Sequence, residues 1–175
     1  MLRKILDRLY LLSGGIAALA ILFICLVVSA QVGLNILARI GGAKWSYTIP
    51  SYADFAGFAL ATASFMALAY TLRAGAHIRV NLVITRLSDR VQWVLEMAAL
   101  ALAGAMSGFA TWFTIGLLRE SYHYGDKSSG IVAIPLWIPQ LSMVAGLAIL
   151  TIAFIDSLVE TMRAGRPLLV DTGTE

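Results

Sequence analysis

Charge is scarce in this chain: Asp, Glu, Lys and Arg together make up 13% of its 175 residues, about half the share found in an ordinary soluble domain. So thin a supply of charge cannot clothe a water-exposed globule, and a soluble fold is excluded. The formal net charge is only +3, and the basic residues lie between apolar runs, where they set membrane topology rather than hold nucleic acid. A single cysteine, Cys25, sits among Ile24, Phe23 and Leu26, which rules out disulfide frameworks and thiolate metal sites. The two histidines, His77 and His123, fall outside every apolar run, so a haem held between spanning helices has no ligands. Phosphate loops, Ser and His pairings and metal-ligand spacings are all missing, and so are internal repeats and low-complexity segments. The expectation is a protein that is not an enzyme and has no cofactor or metal.

What the chain has instead is four uncharged runs: Leu9 to Ala38, Phe55 to Leu72, Met97 to Leu118 and Ser128 to Ile155, which hold 98 of the 175 residues. A helix needs about 20 apolar residues to cross a hydrocarbon core of about 30 Å. The sequence therefore predicts an all-α membrane protein, a single integral membrane domain over residues 1–175 with spans near 12–37, 50–72, 96–118 and 134–156. Arg3, Lys4 and Arg8 followed by Val28-Ser29-Ala30 resemble a secretory signal. The run is twice the length of a signal's apolar region, about 7 to 15 residues, so the segment is expected to stay as the first span.

Lys and Arg in short loops give the orientation. The N-terminus, the middle connection and the tail hold nine of them, whereas Arg39, Lys44, Arg119 and Lys127 are the four in the other two connections. Both termini are thus expected in the cytoplasm. Trp45, Tyr47, Tyr52, Tyr122, Tyr124 and Trp137 flank the two less basic connections, as an outer interfacial belt would. Asp54 belongs at the outer N-terminus of the second span, where a negative charge is favoured. Pro135 and Pro139 open the fourth span, where a missing N–H costs little.

The middle connection carries its own pattern. At 100° per residue, Val80, Val83, Ile84, Leu87, Val91 and Val94 fall on one arc, with Arg79, Arg86 and Arg90 beside its edge. This predicts an amphipathic interfacial helix over 77–94 on the cytoplasmic surface, its guanidinium groups reaching lipid phosphates. The alternative is that the segment extends the third span into water.

Within the spans, Gln31 and Asn35 are the strongest polar groups, one turn apart, and they read as hydrogen-bonding groups near the membrane edge or else as solute contacts. Glu96 reads as structural. Small residues four apart, Ala53, Gly57 and Ala61, Gly104 and Gly108, Gly14 and Ala18, let helix backbones approach closely. They serve packing within the chain or a docking face for another membrane protein. The residues alone point to an accessory or scaffolding subunit.

The stretch Ala67-Leu68-Ala69-Tyr70-Thr71-Leu72-Arg73-Ala74-Gly75-Ala76-His77-Ile78-Arg79-Val80-Asn81-Leu82 resembles the signature of the DctQ-like small membrane subunit of tripartite ATP-independent periplasmic (TRAP) transporters. Trp45 in the outer loop, Asp54 opening the second span, and Ile134-Pro135-Leu136-Trp137-Ile138-Pro139 opening the fourth extend the likeness over most of residues 5 to 160. The resemblance implies a subunit of a sodium-coupled organic-acid importer in the bacterial inner membrane. Its implied partners are a large membrane subunit that carries substrate and sodium, and a periplasmic substrate-binding protein. The small subunit would brace the large one and help dock the binding protein. Residues expected at partner or lipid interfaces are Asp54, Gly57, Ala61, Arg73, His77, Arg79, Arg86, Arg90, Gly104, Gly108 and Trp137. Two rivals remain: a self-sufficient small transporter, which would need a buried charge pair, and a membrane anchor of a redox complex, which would show haem absorbance.

Overall fold

A computed structural model describes residues 2–75 and 87–165. It contains four long helices, α1 (Leu2–Gly41), α2 (Tyr52–Arg73), α3 (Asp89–Tyr124) and α4 (Trp137–Ala164), with a 3-10 turn at Gly42–Trp45 behind α1. All four are long and apolar enough to cross a membrane. At 1.5 Å per residue even the 22 residues of α2 reach about 33 Å, and α1, with 40, reaches about 60 Å.

The helices stand in a row rather than a closed bundle: α1 packs on α2, α2 on α4, and α4 on α3, while α1 barely touches α4. Each of the three seams is closed by a hydroxyl group. Ser13 Oγ donates to the Met66 carbonyl between α1 and α2. Thr62 Oγ1 donates to Ser142 Oγ at 3.0 Å between α2 and α4, and Thr151 Oγ1 donates to Ser107 Oγ at 3.1 Å between α4 and α3. Bonds of this kind are worth about 0.6 kcal/mol on average in a membrane, so they set register more than they supply stability. Close packing supplies more. A Cβ built on Gly146 would lie 2.5 Å from the Phe65 carbonyl oxygen, so α4 approaches the α2 backbone where only glycine fits. Tyr10, Ala69, Leu72, Leu147, Leu150 and Ala153 form the buried cluster where α1, α2 and α4 meet.

Because the row alternates in direction, one end of the molecule collects the start of α1, the end of α2, the start of α3 and the end of α4. The opposite end collects the two connections at residues 42–51 and 125–136. At this loop end α3 stops at Gly125, whose φ of 68° is left-handed and whose N–H returns to the Ser121 carbonyl, the usual glycine stop for a helix. The following loop folds on itself: Ser128 N–H donates to the Ile134 carbonyl at 2.8 Å and Leu136 N–H to Asp126 at 2.9 Å. Ser128 Oγ accepts from Ile134 N–H at 3.0 Å.

The interfacial helix expected over 77–94 lies in part outside the described residues, and so do His77, Arg79 and Arg86. Of its remainder, residues 89–94 run without a break into α3, which starts at Asp89. For these residues the continuous backbone ladder joins the apolar positions Val91 and Val94 to the span itself.

Candidate functional site

At the charged end the apolar runs give way to an ion cluster. Arg73, the last residue of α2, donates from Nη1 to Glu160 Oε2 at 2.7 Å and lies 3.6 Å from Asp156 Oδ2. It also lies 3.4 Å from Ser157 Oγ. Arg3 of α1 pairs with the same Glu160. Tyr10 completes the group, its ring 5.8 Å from the Arg73 guanidinium carbon and its hydroxyl donating to Asp156 at 3.4 Å. Arg3 also lies 3.6 Å from Asp7, so two cations meet three carboxylates, and both arginines share Glu160.

Helix ends explain why the arrangement holds. Arg73 stands at the C-terminus of α2, where the helix dipole favours a cation. Asp156 and Glu160 stand in the last turns of α4, where the dipole opposes them. The Arg73 and Arg3 side chains offset that cost and tie three helices together. The side chains of Arg73 and Asp156 are only 19% and 15% exposed, so this cluster is screened far less than a surface ion pair. Beside the cluster, Asp7, Tyr10, Leu11, Tyr70, Arg73 and Ala74 line a hollow of about 360 Å³.

The other flank of α4 holds α3. Glu96 Oε1 accepts from Thr161 Oγ1 at 3.4 Å, and Trp93 Nε1 donates to the Thr161 carbonyl at 3.0 Å. Glu96 and Thr161 are both buried. The last three turns of α4 therefore present carboxylates to α1 and α2 on one side and Thr161 to α3 on the other.

At the loop end, Asp54 lies in the first turn of α2. Gly130 comes down on its carboxylate so closely that a Cβ there would collide with Asp54 and Ser51. Ser51 precedes α2 yet makes no side-chain bond to its own helix. Its Oγ instead accepts the Val132 N–H at 2.9 Å, which pins the α3–α4 loop to α2. Gln31 of α1 does the same for the other connection: its carbonyl oxygen accepts the Ile49 N–H at 2.9 Å and its amide donates to Asn35 at 3.1 Å. Trp137 opens α4 with its ring edge-on to Tyr122 at 5.9 Å.

The small residues divide between two roles. Gly104 and Gly108 face α4, with Phe154 Cβ and Thr151 Cγ2 within 3.4 and 3.6 Å of a Cβ built on them. Gly57 faces open space, and Ala61 is half-buried. Arg90 is exposed in the first turn of α3.

A family model described as tripartite ATP-independent periplasmic transporters, DctQ component, matches residues 30–164. The chain belongs to that family. No curated relative and no solved structure matches it. As a DctQ component the protein is a small membrane subunit of a TRAP transporter. The match takes in α2, α3, α4 and both loop-end connections, and with them Arg73, Asp156 and Glu160. Arg3 and Tyr10 lie on the part of α1 that precedes it.

Asp156 and Glu160 are the functional-site residues that the sequence reading passed over. Their signal is nonetheless present: two carboxylates four residues apart at the end of an apolar run, at the same membrane level as Arg73 and Arg3. Counting only cations to obtain topology hides such a pair.

Proposed function

We propose that this DctQ component is a bracing subunit that does not itself carry solute, and that it holds a large membrane subunit in a sodium-coupled importer of organic acids. The observation carrying this reading is where its intramembrane polar groups are engaged. Ser13, Thr62, Ser107, Ser142 and Thr151 bond within the row of helices, and Gln31 bonds to its own helix and loop. Arg73 pairs with Asp156 and Glu160 at one end. A carrier needs polar groups held in reserve to replace its solute's hydration. A brace needs them spent on rigidity.

In this reading both termini lie in the cytoplasm, following the excess of Lys and Arg at the charged end, and the loop end faces the periplasm. There the pinned connections over 42–51 and 125–136 offer an ordered surface to a substrate-binding protein. The site is the bacterial inner membrane.

The test is reconstitution. Liposomes holding the large membrane subunit, this chain and the binding protein should accumulate an organic acid when a sodium gradient is imposed. Omitting this chain should abolish uptake, and liposomes holding this chain alone should show none. Transport by this chain alone, or full transport without it, would overturn the reading.

A further inference from the structure

The hollow of about 360 Å³ beside the ion cluster is a slot between α1 and α2, with Asp7, Tyr10 and Leu11 on one wall and Tyr70, Arg73 and Ala74 on the other. Its lining is sorted by level. Asp7 and Arg73 stand at the edge of the apolar runs, since α1 carries no charge from Leu9 to Ala38 and α2 none from Phe55 to Leu72. Leu11 and Tyr70 lie a turn further in. The Tyr70 ring rests on α1 at Gly14, where an added Cβ would come within 2.7 Å of it, so the inner half of the slot is apolar.

The outer half has polar groups to spare. Every hydrogen bond that Arg73 makes to the described residues runs through Nη1, so Nε and Nη2 make none there, and neither is sealed from the surface. Across the slot, the Asp7 side chain is 54% exposed, and its partner is Arg3, which is shared with Glu160. Together with Asp156 the group holds three carboxylates and two guanidinium groups, and of the carboxylates Asp7 is the most exposed. The excess negative charge is met most readily there. Lys4 and Arg8 are exposed on the same turns of α1, where they attract any anionic headgroup, but they do not line the slot. A complementary ligand therefore brings an anionic oxygen for Arg73, a hydrogen-bonding cation for Asp7 and a hydrocarbon part for Leu11 and Tyr70.

We propose that this slot binds the headgroup of a phospholipid with a primary amine, the class of phosphatidylethanolamine. Its phosphodiester accepts from Nε and Nη2 of Arg73, its ammonium donates to Asp7, and an acyl chain runs past Leu11 and Tyr70. A water-soluble zwitterion would leave the apolar half of the slot wet. A lipid covers it, and meets the slot at the level where headgroups lie. A choline headgroup has no N–H to donate to Asp7, and a glycerol headgroup has no cation to offset the third carboxylate. The site lies in the seam between this chain's own α1 and α2 and does not depend on the bracing role.

The test weighs the full-length chain by native mass spectrometry, after purification in mild detergent and incubation with an equal mixture of dioleoyl phosphatidylethanolamine, phosphatidylglycerol and phosphatidylcholine. The chain should retain one phosphatidylethanolamine in preference to the other two. Asp7→Asn removes the charge that meets the ammonium and should lower this retention about tenfold. Leu11→Trp fills the inner half of the slot and should abolish it. Both side chains are more than half exposed, so neither variant should shift the unfolding temperature in lipid-free detergent, which separates a lost ligand from a lost fold. Preference for phosphatidylglycerol, equal retention of all three lipids, or undiminished retention by Asp7→Asn would overturn the site. So would a loss of retention that tracks a lowered unfolding temperature, or displacement of the lipid by soluble phosphoethanolamine, which would mark a site for a free zwitterion.

Discussion

Arg73 and Glu160, 87 residues apart in sequence, meet at 2.7 Å and join the C-terminus of α2 to that of α4. Two helix C-termini side by side place two negative dipole ends together, and α4 adds carboxylates to its own. The guanidinium of Arg73 lies beside both of these helix ends. A single nitrogen, Nη1, reaches Glu160, Asp156 and Ser157, while the guanidinium carbon lies 5.8 Å from the Tyr10 ring centre. A lysine could supply the donors but not the planar group over the ring.

Arg73→Met should therefore destabilise the isolated subunit by about 2 kcal/mol, below the 3 to 5 kcal/mol typical of fully buried pairs because the cluster is partly exposed. Thermal unfolding in detergent reads this. Arg73→Lys should recover only part of the loss. Adding Asp156→Asn and Glu160→Gln to Arg73→Met should restore stability, since the cost comes from carboxylates left without a counter-charge. Additive losses in the triple variant would disprove the counter-charge account.

Gly146 makes a sharper test of the helix row. A methyl group there meets the Phe65 backbone, which cannot rotate away as a side chain can. Gly146→Ala should cost about 1 to 3 kcal/mol through forced separation of α4 from α2, and Gly146→Leu should prevent folding. Gly57→Ala should leave the isolated chain unchanged, because nothing lies within 4 Å of the added methyl. Unfolding temperatures of the three variants, measured side by side, decide the matter.

Gln31 is 3% exposed and takes the Ile49 N–H. Gln31→Leu leaves that donor without its partner, a loss of about 1 to 3 kcal/mol, and frees the connection that leads into α2. Uptake should fall in proportion to the amount of assembled complex, with substrate affinity and sodium dependence unchanged. A shift in either at constant complex abundance would make Gln31 a solute contact.

The four spans were legible because a bilayer imposes a length and a composition that a single sequence displays directly. The DctQ resemblance was legible from the residues around Arg73 and Trp137. The order of the row was not. Gly146 lies in an apolar run as Gly57 does, yet one meets backbone and the other open space, a difference set by which helices become neighbours. The same holds for Gln31. Its carboxamide could be recognised as too polar for lipid, but its partner, a backbone N–H 18 residues away, depends on how the connection after α1 folds back.

Sidedness gives the last prediction. Nine of the thirteen Lys and Arg residues fall at the N-terminus, in the middle connection and in the tail, and positive loops stay in the cytoplasm. Exposed positions allow a direct test: Ser46 and Ser129 at the loop end, Asp7 at the charged end. Cys25, itself exposed, must first be replaced by Ala. A cysteine at Ser46 or Ser129 should then react with an impermeant maleimide added to intact cells, and one at Asp7 only after the cells are permeabilised. Because both loop-end connections are tied to α1 and α2 through Gln31 and Ser51, the two positions must label on the same side. Labelling at Asp7 alone would invert the protein. Opposite behaviour of Ser46 and Ser129 would contradict the row of four spanning helices itself.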